Sequence, residues 1–72
     1  MEEKILNIVR ELFNNNSLTN NSKMGDIDEW DSLGHINIFM SIEHELGISC
    51  DPEEVIENDS IKKIVTLLTN KN

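Results

Sequence analysis

Aromatic residues and cysteine are scarce in this chain of 72 residues, which has two Phe, one Trp, no Tyr and one Cys. The single cysteine, Cys50, cannot form an internal disulfide, and this excludes a secreted disulfide scaffold. So few aromatic rings are too sparse to stack nucleic-acid bases. No apolar run approaches the roughly 20 residues that span a bilayer, so no membrane span is expected. Residues 1–4 resemble neither a signal peptide nor a transit peptide, which predicts a cytoplasmic protein.

Basic residues are also few, with six Lys and Arg against fourteen Asp and Glu and a formal net charge of −8. This balance would repel a phosphate backbone, so no nucleic-acid partner is expected. It favours partners that present Lys and Arg, because complementary charge speeds and orients their encounter. The length predicts one small domain over residues 1–72, expected to be a monomer, whose core leaves little room for a water-excluded active site. No catalytic residues are predicted.

Cys50 is the candidate nucleophile if the chain were a small enzyme, with His35 and His44 as possible bases. The two His lie nine residues apart on one predicted helix, about two and a half turns, and are therefore well separated along its axis. The spacing of these three residues does not fit a zinc site either. We interpret Cys50 as a small apolar residue that packs into the core, and both His as solvated surface residues without a role.

Other metal and phosphate motifs fail on inspection. The stretch from Asp26 begins like a calcium-binding EF-hand loop, but Asp31 replaces the turn glycine and Asn37 replaces the final Glu. The three glycines are too dispersed for a phosphate-binding loop. The acidic residues before Trp30 are therefore predicted to form a solvated patch, and no metal site is expected.

The first half of the chain predicts one helix followed by a long loop. The helix runs from Glu2 to Phe13 and ends at three consecutive Asn, which favour caps and turns. Its apolar stripe consists of Ile5, Val9, Leu12 and Phe13. From Asn14 to Trp30 no period appears, and a connection of this length is either functional or mobile. Trp30 is expected to pack this loop onto the helices.

The second predicted helix runs from Ser32 or Leu33 to Leu46 and is marked at both ends. Ser32 is a good N-cap residue, Asp31 places negative charge where the helix dipole favours it, and Gly47 suits the left-handed C′ position. The apolar face is predicted to comprise Leu33, Ile36, Phe39, Met40, Leu46 and, in part, Ile42.

Two further helices complete an all-α, four-helix bundle with three longer helices, a short third one and a long loop between helices 1 and 2. Asp51, Pro52 and Glu54 form a capping-box start to the third helix, which is predicted to end near Glu57. Asp59 or Ser60 caps the last helix, which continues to about Thr69. Its stripe is Ile61, Ile64, Val65 and Leu68.

Ser32 is the residue best placed for covalent chemistry. Its hydroxyl lies where a long loop meets a helix N-terminus. A phosphodiester attached there would meet free backbone N–H groups and the positive end of the helix dipole. A role as helix cap and a role as modification site are compatible.

The stretch from Asp31 to Ile48 resembles the acyl carrier proteins of the free-standing type, and the resemblance covers nearly the whole chain. In that family an Asp-Ser-Leu triplet opens the second helix, as residues 31–33 do here, and an acidic pair is usual near the positions of Glu43 and Glu45. An apolar link, a Pro and acidic start to a short third helix, and a fourth amphipathic helix follow in the same order.

The resemblance implies a carrier and not an enzyme, with 4′-phosphopantetheine transferred from coenzyme A onto Ser32 by a phosphopantetheinyl transferase. The arm would hold acyl or aminoacyl groups as thioesters. Asp31, Leu33, Glu43 and Glu45 would take part in partner recognition. The implied partners are the transferase, a loading enzyme for the acyl or aminoacyl group, and a downstream synthase or transferase with a basic docking surface.

Two departures from fatty-acid carriers favour a specialised biosynthetic pathway over housekeeping fatty-acid synthesis. Trp30 stands where those carriers have a small residue. The predicted exposed positions of the second helix are less acidic, and hold Gly34, His35, Asn37, Ser41 and His44. The alternative hypothesis is an acidic helical interaction module without a prosthetic group, in which Ser32 is only a cap.

Overall fold

The computed structural model describes residues 1–71 and consists of four α-helices, which confirms the predicted all-α bundle. The helices are α1 (Glu2–Phe13), α2 (Ser32–Leu46), α3 (Pro52–Glu57) and α4 (Ile61–Lys71). Within these residues the only β-type pairing is an isolated antiparallel bridge between Lys23 and Ser60. None of the described helices combines the length and apolarity needed to cross a membrane.

The helix ends follow the capping residues in the sequence. Asn14 ends α1 in the left-handed conformation (φ 50°), and Gly47 ends α2 in the same way (φ 65°). At the start of α3 the Glu54 carboxylate accepts a hydrogen bond of 2.8 Å from the Asp51 N–H, as a capping box requires. Ser60, rather than Asp59, caps α4, since its Oγ accepts from the Lys63 N–H at 3.2 Å.

The core is built from α1, α2, α4 and two side chains of the long loop. The predicted stripe of α4 is confirmed at three of its four positions, Ile61, Ile64 and Leu68, whereas in α1 Ile8 is buried and Leu12 is exposed. The buried apolar residues are Ile5, Ile8, Val9, Leu18, Trp30, Ile38, Phe39, Ile42, Ile61, Ile64 and Leu68.

The long loop is fixed to the helices at several points. The Arg10 Nε–H donates to the Leu18 carbonyl at 2.8 Å, and backbone hydrogen bonds join Ser22 to Ile61 and Met24 to Asp59. Trp30 is completely buried, so the prediction that it packs the loop onto the helices is confirmed. The loop therefore delivers the chain to the start of α2 in a defined position.

The buried face of α2 differs from the predicted one. Leu33, Ile36 and Met40 were expected to face the core, but they are 67%, 49% and 61% exposed. Gly34 and His35 were expected to be exposed, and both are buried. The physical reason is that α2 has apolar residues on almost every side, so periodicity alone does not define which side packs inward.

Gly34 permits the observed orientation of α2. A Cβ at this position would overlap the Glu29 carbonyl oxygen and approach the Phe13 ring. The absence of a side chain therefore lets the first turn of α2 lie directly against the end of the loop.

Replacement of Gly34 by Ala tests this contact. Alanine is the better helix former by about 1 kcal/mol, but overpacking against a fixed backbone atom costs about 1–3 kcal/mol. We expect Gly34→Ala to lower the free energy of unfolding, measured by urea denaturation. Asn37→Ala, at an exposed position of the same helix, is the matched control and should be neutral or slightly stabilising. Equal stability of the two variants would show that the close approach is not required.

Candidate functional site

Ser32 is the first residue of α2, and its side chain is exposed. The N-cap is Asp31, whose backbone is extended and whose Oδ1 accepts from the Gly34 N–H at 2.8 Å. The prediction that Ser32 caps the helix was therefore wrong by one residue. Since Asp31 performs the capping, the Ser32 hydroxyl is not used to satisfy the backbone at the helix start.

The head of α2 suits a negatively charged group on Ser32. The first N–H groups of a helix have no intrahelical acceptor, and the helix dipole is positive at this end. Asp31 satisfies the Gly34 N–H, and its carbonyl accepts from His35 at 2.8 Å. The N–H groups of Ser32 and Leu33 are then the ones placed to meet a phosphate at the Ser32 hydroxyl.

An apolar groove between α2 and α3 begins beside Ser32. It consists of two adjoining cavities of about 180 Å³ and about 330 Å³, which share Ile36, Val55 and Ile56. The smaller cavity borders Ser32, and the larger one extends to Cys50. The remaining lining residues are Met24 and His35 in the smaller cavity and Phe39, Met40, Glu43 and Pro52 in the larger. We call this feature the α2–α3 groove.

Exposed apolar side chains surround the same region. Of the six large apolar side chains exposed in residues 1–71, three line the α2–α3 groove and a fourth, Leu33, follows Ser32 directly. The three groove members are Ile36, Met40 and Ile56, the last of them 75% exposed. A cluster of this kind marks an interaction surface. We call these four residues the apolar rim.

The acidic pair predicted to act in partner recognition does not form one surface. Glu43 lines the α2–α3 groove, whereas Glu45 borders a separate groove with Ile8 and Glu11 on the α1 side. Two residues along a helix correspond to a rotation of about 200°, which explains the separation. Glu43 also has a structural contact, because its Oε2 accepts from the Cys50 N–H at 2.7 Å.

His35 is a site residue whose importance sequence reasoning missed. It is 4% exposed, and the prediction of a solvated side chain was wrong. The Trp30 indole Nε1–H donates to its Nδ1 at 3.0 Å, and its Nε2 lies 2.8 Å from the Val55 carbonyl oxygen. The sequence feature that could have indicated this role is Trp30, five residues before His35, because a buried indole N–H needs a hydrogen-bond acceptor. His44 is exposed, as predicted.

Cys50 lies half-buried at the far end of the α2–α3 groove. Burial raises the pKa of its thiol, and the negative charges of Glu54, Glu43 and Asp51 act in the same direction while Lys71 opposes them. Cys50 is therefore not activated as a nucleophile. Residues 1–71 contain no group of three or more His, Cys, Asp or Glu side chains arranged to hold a metal ion.

Comparison with known proteins identifies one family. A family model described as a phosphopantetheine attachment site matches residues 3–68, which include Ser32 and most of the four helices. No curated protein and no solved structure matches the chain significantly.

The contact of Glu43 predicts a difference between the two acidic residues. Loss of its hydrogen bond to the Cys50 N–H in Glu43→Ala should lower the free energy of unfolding by about 1–2 kcal/mol. Glu45→Ala removes an exposed carboxylate and should change stability by less than about 0.5 kcal/mol. Chemical denaturation of the two variants checks this, and equal losses would contradict the structural role of Glu43.

The raised pKa of the Cys50 thiol predicts slow alkylation at neutral pH. Thiolate forms only as the pH rises through the folded-state pKa, so the rate of reaction with iodoacetamide should have a higher pH midpoint than in the chain unfolded in urea. A lower midpoint in the folded protein would indicate an activated cysteine and revive the enzyme hypothesis.

Proposed function

The chain belongs to the phosphopantetheine attachment site family, and from this premise we propose that Ser32 carries the 4′-phosphopantetheine arm. Members of this family hold the arm covalently and are carriers, so the chain is a carrier protein and not an enzyme. When bound, the arm supplies a terminal thiol on which a cargo group is held as a thioester.

The observation that carries this proposal is the exposed Ser32 hydroxyl at the head of α2, beside the α2–α3 groove. Other serines that the structure places in hydrogen bonds are less available. Ser22 is buried, Ser60 caps α4, and Ser17 bonds to the Asn15 side chain. Ser41 lies inside α2, away from any helix N-terminus. Ser32 combines exposure, a helix dipole and an adjoining apolar groove.

Attachment requires a transferase and coenzyme A. The Ser32 Oγ forms a bond to the phosphorus of the pantetheine phosphate, the phosphoanhydride bond of coenzyme A breaks, and adenosine 3′,5′-bisphosphate leaves. The hydroxyl proton passes to the transferase. The role of this chain is to hold the nucleophile in place. Asp31 fixes the first turn of α2, and the N–H groups of Ser32 and Leu33 would be the ones to meet the phosphodiester.

The family implies a phosphopantetheinyl transferase and synthase-type enzymes as partners. We propose that they dock on the apolar rim, with Leu33 and Asp31 contacting the transferase next to Ser32. This adds apolar contacts to the basic docking surface expected from the net charge. We propose that Glu43 contacts a partner at the groove and that Glu45 contacts one on the α1 side, since the two residues border different grooves.

The lining of the α2–α3 groove supports an acyl group with an apolar chain over an aminoacyl group as cargo. Its walls include Ile36, Met40, Val55 and Ile56, and its one carboxylate, that of Glu43, already accepts from the Cys50 N–H, so few polar partners are left for an amine. Between Ile36 and Leu46 the outward face of α2 carries Asn37, Ser41 and His44 as well as carboxylates. An outward face that is only partly acidic supports a specialised biosynthetic pathway over housekeeping fatty-acid synthesis. Cytoplasmic location, a monomeric state and a single domain over residues 1–72 stay predictions.

Intact-mass measurement tests the attachment residue. The chain without its arm is incubated with coenzyme A, magnesium and a broad-specificity phosphopantetheinyl transferase that modifies a reference carrier in the same reaction. We expect one arm on the unmodified sequence and on Ser41→Ala, the control on the same helix, and none on Ser32→Ala. The last variant should fold normally, because Asp31 and not Ser32 caps α2.

Labelling of Ser32→Ala would contradict the attachment site. Failure of the unmodified sequence to take up the arm, while the reference carrier does, would favour the acidic interaction module without a prosthetic group.

A further inference from the structure

Helix α3 forms one wall of the α2–α3 groove, but its own sequence gives it little stability. It has six residues, and none of them is buried. A helix this short is unstable in isolation, since nucleation is costly and few hydrogen bonds repay it. Its position must therefore be fixed by side chains from elsewhere in the chain.

The start of α3 is held by two polar contacts with neighbouring helices. Glu43 of α2 accepts from the Cys50 N–H at 2.7 Å, and Lys71 of α4 pairs with Glu54 at 3.0 Å. Both contacts lie at or before the first turn of α3. Neither contact reaches the second half of the helix, which contributes Val55 and Ile56 to the groove. That half therefore needs a different contact to fix its position.

The end of α3 is held from α2 by His35. The last carbonyls of a helix have no intrahelical donor, so each needs another partner. Asn58 Nδ2 donates to the Glu54 carbonyl at 2.7 Å, and the next carbonyl, that of Val55, lies 2.8 Å from His35 Nε2. His35 thus pairs with one of the C-terminal carbonyls of a helix to which it does not belong.

The hydrogen-bond partners of His35 define its tautomer. An indole Nε1–H is a donor only, so the Nδ1 of His35 that receives it from Trp30 must carry a lone pair. The single N–H of the neutral imidazole is then on Nε2, and it donates to the Val55 carbonyl. The ring also lies parallel to Trp30 (interplanar angle 15°) and meets the Phe39 ring edge-on at a centroid distance of 5.3 Å. Both packing and hydrogen bonds therefore hold it in one orientation.

We propose that His35 is a positioning residue: the hydrogen-bonded chain Trp30–His35–Val55 fixes the second half of α3 against the head of α2 and so sets the opening of the groove beside Ser32. His35 is three residues after Ser32, one helical turn away. The proposed role of His35 in fixing α3 does not require an arm on Ser32, whereas the consequence for arm attachment rests on the proposed function. Loss of the hydrogen bonds that join Trp30, His35 and Val55 should loosen α3. Ser32 should stay in place, because Asp31 caps α2 separately.

Three variants of the full chain separate this role from a general effect on stability. His35→Leu removes both hydrogen bonds, and Trp30→Phe removes only the donor to Nδ1. His35→Gln retains one acceptor and one donor and serves as the conservative variant. Amide hydrogen exchange is measured for α3 (residues 53–57) and compared with α1 and α4 of the same sample.

We expect the α3 amides of His35→Leu to exchange about tenfold faster, the effect of losing the one His35 hydrogen bond made to α3, that to the Val55 carbonyl, with smaller changes in α1 and α4. His35→Gln should restore most of the protection. In the unmodified sequence, ¹⁵N NMR of the imidazole should show Nε2 protonated and Nδ1 as an acceptor. The opposite tautomer, unchanged exchange in His35→Leu, or equal acceleration in all helices would overturn the proposal.

Transferase kinetics test the consequence for the site. His35→Leu should raise the KM of the transferase for the carrier severalfold with kcat within about twofold, because the docking surface is loosened while the nucleophile keeps its place. His35→Gln should restore the KM. An unchanged KM in a variant whose α3 exchanges faster would separate α3 from the site and refute the second half of the proposal. If Ser32 accepts no arm in the unmodified sequence, the proposed function fails, and hydrogen exchange alone decides the role of His35.

Discussion

The hydrogen bonds that run from the Trp30 indole through the His35 ring to the Val55 carbonyl join three parts of the molecule. Trp30 ends the long loop, His35 lies in the first turns of α2, and Val55 belongs to the short helix α3. Each polar atom that these hydrogen bonds join is paired. This matters because an unpaired buried donor or acceptor costs about 1–3 kcal/mol. These hydrogen bonds therefore favour one arrangement of the long loop, the start of α2 and α3 over arrangements in which a buried polar atom is unpaired.

The position of Ser32 itself depends on two separate contacts at the head of α2. Gly34 lets the first turn of α2 approach the Glu29 carbonyl, and Asp31 caps the helix with its own side chain. The serine hydroxyl is consequently left exposed on a rigid support, next to a groove with apolar walls. A carrier benefits from such a support, because a rigid body with a flexible arm presents one reactive group to several enzymes at high effective concentration.

Much of the fold could be predicted because its helix ends are marked by local chemistry. Asn14, Gly47, Asp51 and Ser60 stand at helix ends for reasons of backbone conformation and capping that act within a few residues. The inward face of α2 could not be predicted in this way. Its orientation depends on contacts with the loop and with α3, and its apolar residues are spread around the whole helix.

The site was predictable to a similar extent. The position of Ser32 and the Asp-Ser-Leu triplet predict it as the attachment residue, but the sequence favours Ser32 over Asp31 as the cap, because both residue types cap helices well. The structural contacts of His35 and Glu43 are with backbone atoms 20 and 7 residues away, which no local pattern reveals. The apolar rim could not be predicted either, because the apolar residues of α2 are spread around the helix and periodicity does not indicate which of them are exposed.

Mapping the arm on the protein isolated from its natural host tests the proposed function most directly. Tandem mass spectrometry of a proteolytic digest should place phosphopantetheine on the peptide that contains Asp31, Ser32 and Leu33, with backbone fragments assigning it to Ser32. An arm on any other serine, or a native protein that carries none, would contradict the proposal that Ser32 is the attachment residue of a carrier protein.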